Sequence, residues 1–148
     1  MDIEYQKQIV ARYEAAHFTV NRKLTAMMRE LMPEGLTVDQ YMTLRYMRNN
    51  EECTSSELAD IFCVGKSSIT AIITRLVDKQ LIVRVPDDKD RRVTFLKLTE
   101  EGKEMSDVLE VEIQKLIGTF LCHFDEQEAH TFLNTFEKLA LVMGSSTE

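Results

Sequence analysis

The chain has 148 residues, a formal net charge of −7 and three widely spaced cysteines. A chain of this length can bury a core without covalent staples, and the odd, scattered cysteines argue against a disulfide framework or a zinc finger. The N-terminal segment has no signal-peptide core, and no apolar run approaches the roughly 18 residues of a membrane span. We therefore expect a cytoplasmic protein with no membrane partner.

The charge is unevenly distributed along the chain. Residues 63–97 carry eight lysines and arginines against four aspartates, so the remaining residues are strongly acidic. Binding to a polyanion requires local positive charge rather than a positive total. The negative net charge therefore does not exclude a nucleic-acid partner, although an acidic protein with one uneven stretch is an alternative interpretation.

The first half of the chain predicts two helices. Apolar residues at alternating spacings of four and three predict a long helix from Ile3 to Leu31. The residues on its apolar face are Tyr13, His17, Val20, Leu24, Met27 and Leu31. Pro33 and Gly35 end this helix. A second helix of about 12 residues follows, with Thr37 and Gln40 as a capping box at its start. Its apolar side consists of Tyr41, Leu44, Tyr46 and Met47.

Two short helices linked by the turn "CVG" come next. Thr54 and Glu57 form a second capping box and open a third helix. Its predicted buried side consists of Leu58, Ile61 and Phe62. The stretch "KSSITAIITRLVDKQ" predicts a fourth helix with apolar residues on one face. These residues are Ile69, Ile72, Ile73, Leu76 and Val77.

A hairpin and two further helices complete the chain. "LIVRV" and "VTFLKL" are rich in β-branched residues and predict two antiparallel strands joined by the charged loop "PDDKDRR". Thr99 caps a fifth helix, with Gly102 in its first turn. The apolar positions of that helix are Met105, Val108, Leu109, Ile113, Leu116 and Phe120. Asp125 and Glu128 open a last helix that ends at "GSSTE". Its predicted inward residues are Phe132, Phe136, Leu139 and Met143. The order ααααββαα is mainly α with a small β-hairpin, the arrangement of a winged helix-turn-helix.

The outward face of the fourth helix carries small side chains. Opposite its isoleucines lie Ser67, Ala71 and Thr74, with Ser68, Thr70 and Arg75 at the edges. Small side chains let a helix enter the major groove, where hydroxyls bond base edges and phosphates. The free N–H groups of the first turn, beside Lys66, suit a phosphate. The alternative is a solvated helix face.

The charged hairpin loop has a matching interpretation. Arg91 and Arg92 on a projecting loop can reach a phosphate or the narrow minor groove, while a nearby aspartate pairs with one of them and fixes the loop. The alternative is a solvated loop whose ion pairs are each worth less than about 1 kcal/mol.

Three segments, "SSELADIF", "KSSITAIITRLVDKQLIVR" and "PDDKDRRVTFLKLTEEG", follow one another in an order and spacing that resemble the MarR family of dimeric winged helix-turn-helix transcription regulators. The last segment is the most specific, and the resemblance covers residues 37–105 closely. It implies a single domain over residues 1–148. In that domain residues 36–98 form the DNA-binding region, and residues 1–35 and 99–148 form dimerisation helices.

The resemblance also implies which residues contact DNA. They are Ser55, Ser56, Lys66, Ser67, Ser68, Thr70, Thr74, Arg75, Arg91 and Arg92. Asp90 is the residue that orders one wing arginine, although the resemblance does not say which. Two positions depart from the family pattern: Ala71 stands where many members have a larger polar or basic side chain, and Cys63 replaces a frequent turn glycine.

The partners implied by the resemblance are double-stranded DNA, a second copy of the chain and a small effector. A homodimeric repressor would bind a pseudopalindromic operator and be released by a small apolar or aromatic molecule. Methionine adapts to varied apolar shapes. The expected effector pocket is bordered by Met27, Met28, Met42 and Met47. Ordinary filling of the core is an alternative role for these methionines.

The sequence carries no motif of an enzyme, a cofactor site or a metal site. GxSxG, HExxH and phosphate-binding glycine loops are missing, so we expect no catalysis and no cofactor. His17, His123 and His130 are scattered, so we expect no metal. The first helix has no cysteine, and we expect Cys53, Cys63 and Cys122 to be inert. The alternatives are a winged-helix protein used for protein contacts and a redox-responsive regulator of the same fold.

Overall fold

The computed structural model describes residues 1–145, and the chain divides into two compact units, residues 1–111 and 112–148. Along the chain the elements of the described part are α1 (Ile3–Leu31), α2 (Val38–Asn49), α3 (Ser55–Phe62), α4 (Lys66–Asp78), β1 (Ile82–Pro86), β2 (Thr94–Leu98), α5 (Glu100–Leu121) and α6 (Glu126–Ser145). The predicted order ααααββαα is confirmed.

Capping boxes set the starts of α2 and α3. The backbone N–H of Gln40 donates to Thr37 Oγ1 at 3.2 Å, and that of Thr37 donates to Gln40 Oε1 at 3.3 Å. Thr54 and Glu57 make the same reciprocal pair at 3.2 and 2.9 Å. Each box satisfies N–H groups that the first helical turn leaves without a partner. Both helices therefore begin where the sequence predicts.

The core of the first unit joins α2, α3 and α4 to the hairpin. Its fully buried apolar side chains include Tyr41, Leu44, Met47, Leu58, Ile69, Leu76 and Ile82. The prediction that Ile61 is buried is wrong, because its side chain is 54% exposed and Ala59 is buried instead. At 100° per residue the face shared by Leu58, Ala59 and Phe62 points about a quarter turn away from Ile61.

The hairpin has a regular antiparallel register and an additional neighbour. Ile82 pairs with Leu98, Arg84 with Leu96 and Pro86 with Thr94. Cys53 forms an isolated bridge to Leu96, whose N–H donates to the Cys53 carbonyl at 2.8 Å. The chain between α2 and α3 is thereby tied to β2, a contact that the sequence pattern did not indicate.

The start of α5 is anchored to the turn before β1. Gly102 N–H donates to Thr99 Oγ1 at 3.0 Å, which confirms the predicted cap, and Thr99 Oγ1 donates to the Gln80 carbonyl at 2.7 Å. A Cβ atom at Gly102 would overlap the carbonyl oxygen of Leu81. Only glycine fits this close approach without a shift of the backbone.

Two ion pairs connect α2 with the first half of α5. Arg48 makes a bidentate pair with Asp107, with Nε to Oδ1 at 2.9 Å and Nη2 to Oδ2 at 3.2 Å. Arg45 Nε lies 3.9 Å from Glu110 Oε1. Because the side chains of both pairs are partly exposed, each pair contributes modestly to stability.

The second unit contains the end of α5 and α6. Glu128 N–H donates to Asp125 Oδ1 at 2.8 Å, so α6 starts as predicted. The prediction of an inward face is wrong within this chain, because these side chains are 38% to 65% exposed: Phe132, Phe136, Leu139 and Met143. No residue of α6 is buried. Of the predicted ending "GSSTE", residues 146–148 lie outside the described part.

The long helix α1 of the first unit is exposed as well. It has no buried residue, and the side chains of Tyr13 and Val20 are 48% and 62% exposed. Within residues 1–145, each helix is either too short or too polar to cross a membrane.

Candidate nucleic-acid interface

The predicted contact residues of α4 lie on its exposed side. Ile69, Ile73 and Leu76 are buried on the opposite side. The exposed residues are Lys66, Ser67, Ser68, Thr70, Ala71, Thr74 and Arg75. No described residue makes a side-chain hydrogen bond with Ser67, Ser68 or Thr70. Their hydroxyls are therefore available to an external partner.

The N-terminus of α4 differs from those of α2 and α3. Its N-cap, Gly65, provides no side-chain acceptor, so the first N–H groups of the helix are left to solvent or to a ligand. Lys66 is exposed beside them. Ser55 and Ser56 are exposed in the first turn of α3, where Thr54 supplies the cap.

The turn between α3 and α4 is set by a left-handed residue. Cys63 has φ 52° and ψ 42°, a conformation that glycine adopts most easily. Its N–H donates to the Asp60 carbonyl at 3.2 Å, and that of Val64 donates to the Ala59 carbonyl at 3.0 Å. The turn therefore has the conformation of a glycine turn, although a cysteine occupies it.

The wing, formed by β1, β2 and the loop between them, contains an ordered arginine. Arg92 donates from Nε to Asp90 Oδ1 at 3.1 Å and from Nη2 to Oδ2 at 3.2 Å, and its backbone N–H donates to Oδ1 at 3.0 Å. The hydrogen bonds from Arg92 hold the pKa of Asp90 below its ordinary value. The Arg92 side chain is nevertheless 90% exposed. Arg91 is exposed and pairs with no side chain among residues 1–145.

Backbone hydrogen bonds close the tip of the wing. Asp87 N–H donates to the Val93 carbonyl and Val93 N–H to the Asp90 carbonyl, both at 3.0 Å. Lys89 N–H donates to Asp87 Oδ1 at 3.2 Å. The three aspartates thus have unequal roles, since Asp87 and Asp90 shape the loop while Asp88 is exposed and makes no such bond within the described chain.

One arginine of this surface is missing from the residues predicted from the sequence. Arg84 of β1 donates from Nη2 to Thr74 Oγ1 of α4 at 3.5 Å. Strand alternation was the available signal, because Arg84 lies two residues after the buried Ile82 and so on the same face of the strand.

The cysteines differ in exposure. Burial, with a smaller contribution from Glu57, raises the pKa of Cys53 to about 11. Cys63 and Cys122 are exposed thiols. Among residues 1–145, no group of three or more His, Cys, Asp or Glu side chains is arranged to hold a metal ion.

The four methionines of the predicted effector pocket have different environments. Met47 is buried, Met42 is exposed, and Met27 and Met28 are half-buried. Met47 lines a cavity of about 230 Å³ in the first unit. The other residues around it are Arg48, Glu51, Glu52, Lys97, Leu98 and Lys103. This mostly charged lining does not suit a purely apolar effector.

Comparison with known proteins gives a consistent family. The model of the MarR family matches residues 36–94. The uncharacterised HTH-type transcriptional regulator YpoP of Bacillus subtilis (strain 168) is 30% identical over 111 residues, 74% of this chain and 78% of YpoP. The HTH-type transcriptional repressor MdtR of the same organism is 29% identical over 114 residues, 77% of this chain and 74% of MdtR.

A solved structure extends the similarity to the whole fold. A mutant MarR from E. coli, crystallised with operator DNA, has a TM-score of 0.76 and 23% sequence identity, covering 94% of this chain and 99% of that one. The fold of the described residues, six helices and a two-stranded wing, is similar to that structure over most of its length. The chain belongs to the MarR family of winged helix-turn-helix transcription regulators, which bind DNA.

Proposed function

We propose that the chain is a homodimeric, sequence-specific repressor that reads a pseudopalindromic operator with α4 and the wing. The observation that carries this proposal is the Asp90–Arg92 pair, because it orders a largely exposed guanidinium on the same chain as an exposed, hydroxyl-lined helix. In this proposal α4 and the start of α3 contact DNA through Ser55, Ser56, Lys66, Ser67, Ser68, Thr70, Thr74 and Arg75.

The two wing arginines have different tasks in this proposal. Asp90 engages Nε and one Nη of Arg92 and leaves the other donors of its guanidinium exposed. An arginine that is already ordered loses less side-chain entropy on binding, which suits insertion into a narrow minor groove. Arg91, which no side chain of the described chain restrains, suits a phosphate contact.

A homodimer is supported by the exposed apolar side chains of α1 and, separately, of α6. Large exposed apolar patches are typical of interaction surfaces, and most soluble oligomers are symmetric assemblies of identical chains. Two copies would place two recognition helices about one DNA turn apart. The dimerisation helices then lie in residues 1–35 and 99–148, on either side of the DNA-binding region at 36–98.

Repression, release by an effector and a cytoplasmic location belong to the same proposal. MdtR is a repressor by its name, and a small apolar or aromatic molecule would release the operator. Met27, Met28 and Met42 remain candidates for its pocket, whereas the charged cavity at Met47 offers such a molecule little apolar surface.

The alternatives are less well supported by the described residues. A redox-responsive regulator needs a reactive thiolate, and the raised pKa of Cys53 argues against that residue as its sensor. The exposed thiols of Cys63 and Cys122 are the remaining candidates for this alternative. A winged-helix protein used for protein contacts would have no need of an ordered, exposed arginine on the wing.

The test is a titration of duplex DNA, recovered from chromosomal fragments that the chain retains, at several salt concentrations. We expect affinity to fall steeply with salt. We expect Asp90→Asn to weaken binding several-fold, because the amide keeps one acceptor oxygen for Arg92 but loses the charge of the pair and the acceptor for Nη2. We expect Arg92→Met to weaken binding by about tenfold or more. The thermal midpoint should be nearly unchanged in both variants.

Asp88→Asn is the matched control on the same loop. Both substitutions remove one negative charge, which by electrostatics alone should tighten binding to a polyanion. Only the loss of an ordering contact makes Asp90→Asn act in the opposite direction. Equal tightening by both variants would contradict the role of Asp90, and the absence of DNA binding at low salt would contradict the proposed function.

A further inference from the structure

Arg84 and Thr74 connect the recognition helix with the wing. Arg84 Nη2 of β1 lies 3.5 Å from Thr74 Oγ1 of α4, and both residues are exposed. In the register of the hairpin Arg84 pairs with Leu96, which is 3% exposed, so the strand position is fixed by the core beneath it. Within the described chain, no carboxylate forms an ion pair with Arg84.

The chemistry of the pair leaves only donors for an external ligand. A guanidinium has N–H donors and no acceptor, so Thr74 Oγ1 must accept in this contact and its own proton is directed elsewhere. The remaining N–H groups of Arg84 are also free to donate. A hydroxyl donor beside an unpaired cation suits an anion with several acceptor oxygens.

The position of Thr74 along α4 indicates which group of the DNA would supply that anion. Thr74 is eight residues after Lys66, which places it about 12 Å farther along the helix axis. The N-terminal residues of a recognition helix contact base edges. A side chain in the third turn therefore lies where the helix leaves the floor of the groove and approaches the backbone.

We propose that Thr74 and Arg84 together bind one phosphate of the DNA backbone, between the recognition helix and the wing. This phosphate site rests on the proposed function and adds to it Arg84, which is not among the residues predicted from the sequence. A phosphate contact fixes the position of the protein on the duplex and carries no base preference of its own.

The experiment compares wild type, Arg84→Met, Thr74→Val and the double variant. The probes are a retained chromosomal duplex and a scrambled duplex of the same composition, each titrated over a range of salt concentrations. Loss of one phosphate contact should lower the magnitude of the log K against log salt slope by about 0.9 in Arg84→Met. We expect a similar affinity loss of about tenfold on both duplexes.

Thr74→Val should weaken binding by about threefold. The double variant should be close to Arg84→Met alone, because residues that share one partner are not additive. Arg45→Met on α2 removes the same charge from a partly exposed side chain outside α4, the wing and the proposed dimerisation helices, and should leave the slope unchanged. The thermal midpoints of all variants should agree within about 2 °C, since both side chains are exposed.

The outcomes separate this inference from the proposed function. If Arg84→Met leaves the slope of log K against log salt unchanged, or changes the base preference while preserving that slope, the phosphate site is overturned while the DNA-binding function stands. Strict additivity of the two substitutions also overturns it. If the wild-type chain itself shows no salt-dependent binding to duplex DNA, the proposed function is wrong, and so is the phosphate site.

Discussion

Asp90 pairs with Arg92 and not with Arg91, and the backbone conformation of the loop determines which arginine it binds. The sequence "DRR" predicts that Asp90 orders one arginine, but both side chains are long enough to reach it. In the structure the Arg92 backbone N–H donates to the same Oδ1 atom that accepts from Arg92 Nε. The loop conformation that makes this bond possible also directs the Arg92 side chain to Asp90. The contact of Arg84 with Thr74 was harder to foresee, because ten residues separate them and only the packing of β1 on α4 joins them.

Cysteine reactivity gives a prediction at the same scale. Because the pKa of Cys53 is raised to about 11 by burial, its thiolate is scarce at neutral pH, whereas Cys63 and Cys122 are exposed. We expect iodoacetamide at pH 7.5 to add two groups to the native chain and a third only after denaturation. Mass spectrometry of the digested protein identifies the modified residues. Modification of native Cys53 as fast as of Cys63 would contradict the assigned burial.

Helices that begin with a local signal were predictable, and contacts between distant segments were not. The capping boxes at Thr37 and Thr54 act within four residues, so the sequence alone places the starts of α2 and α3. The exposure of Ile61 depends on which face of a short helix meets the core. The bridge from Cys53 to Leu96 joins segments more than 40 residues apart, and no periodicity in the sequence encodes it.

The junction of β1 and α5 supplies a prediction at the scale of elements. Gly102→Ala should lower the free energy of unfolding by about 2–4 kcal/mol, because the new Cβ atom meets a backbone carbonyl that cannot move aside easily. Chemical denaturation monitored by circular dichroism measures this change.

Gly118→Ala on the same helix is the matched control. A Cβ atom there meets nothing within 4 Å, so alanine should raise stability by about 0.5–1 kcal/mol through its higher helix propensity. Similar effects of the two substitutions would show that the close approach at Leu81 does not limit residue 102.

At the scale of the whole molecule, the distribution of charge and the exposure of apolar side chains suit two kinds of partner. The net charge of −7 conceals a basic segment at residues 63–97, which coincides with α4 and the wing. The apolar pattern of α6 predicts a helix correctly, yet its aromatic side chains are exposed in the single chain. Sequence periodicity identifies an apolar face but does not say whether the same chain or another copy covers it. A second copy is the occupant we propose for the faces of α1 and α6.

Binding to an interrupted operator tests the central claim most directly. The chain is titrated onto its retained duplex and onto the same duplex with about five base pairs inserted between the half-sites, roughly half a helical turn. A homodimer that reads both half-sites should bind the intact duplex with two chains per site and lose at least about tenfold in affinity for the interrupted one, because the second half-site then faces away. Equal affinity for the two duplexes, with one chain bound per half-site, would contradict the account.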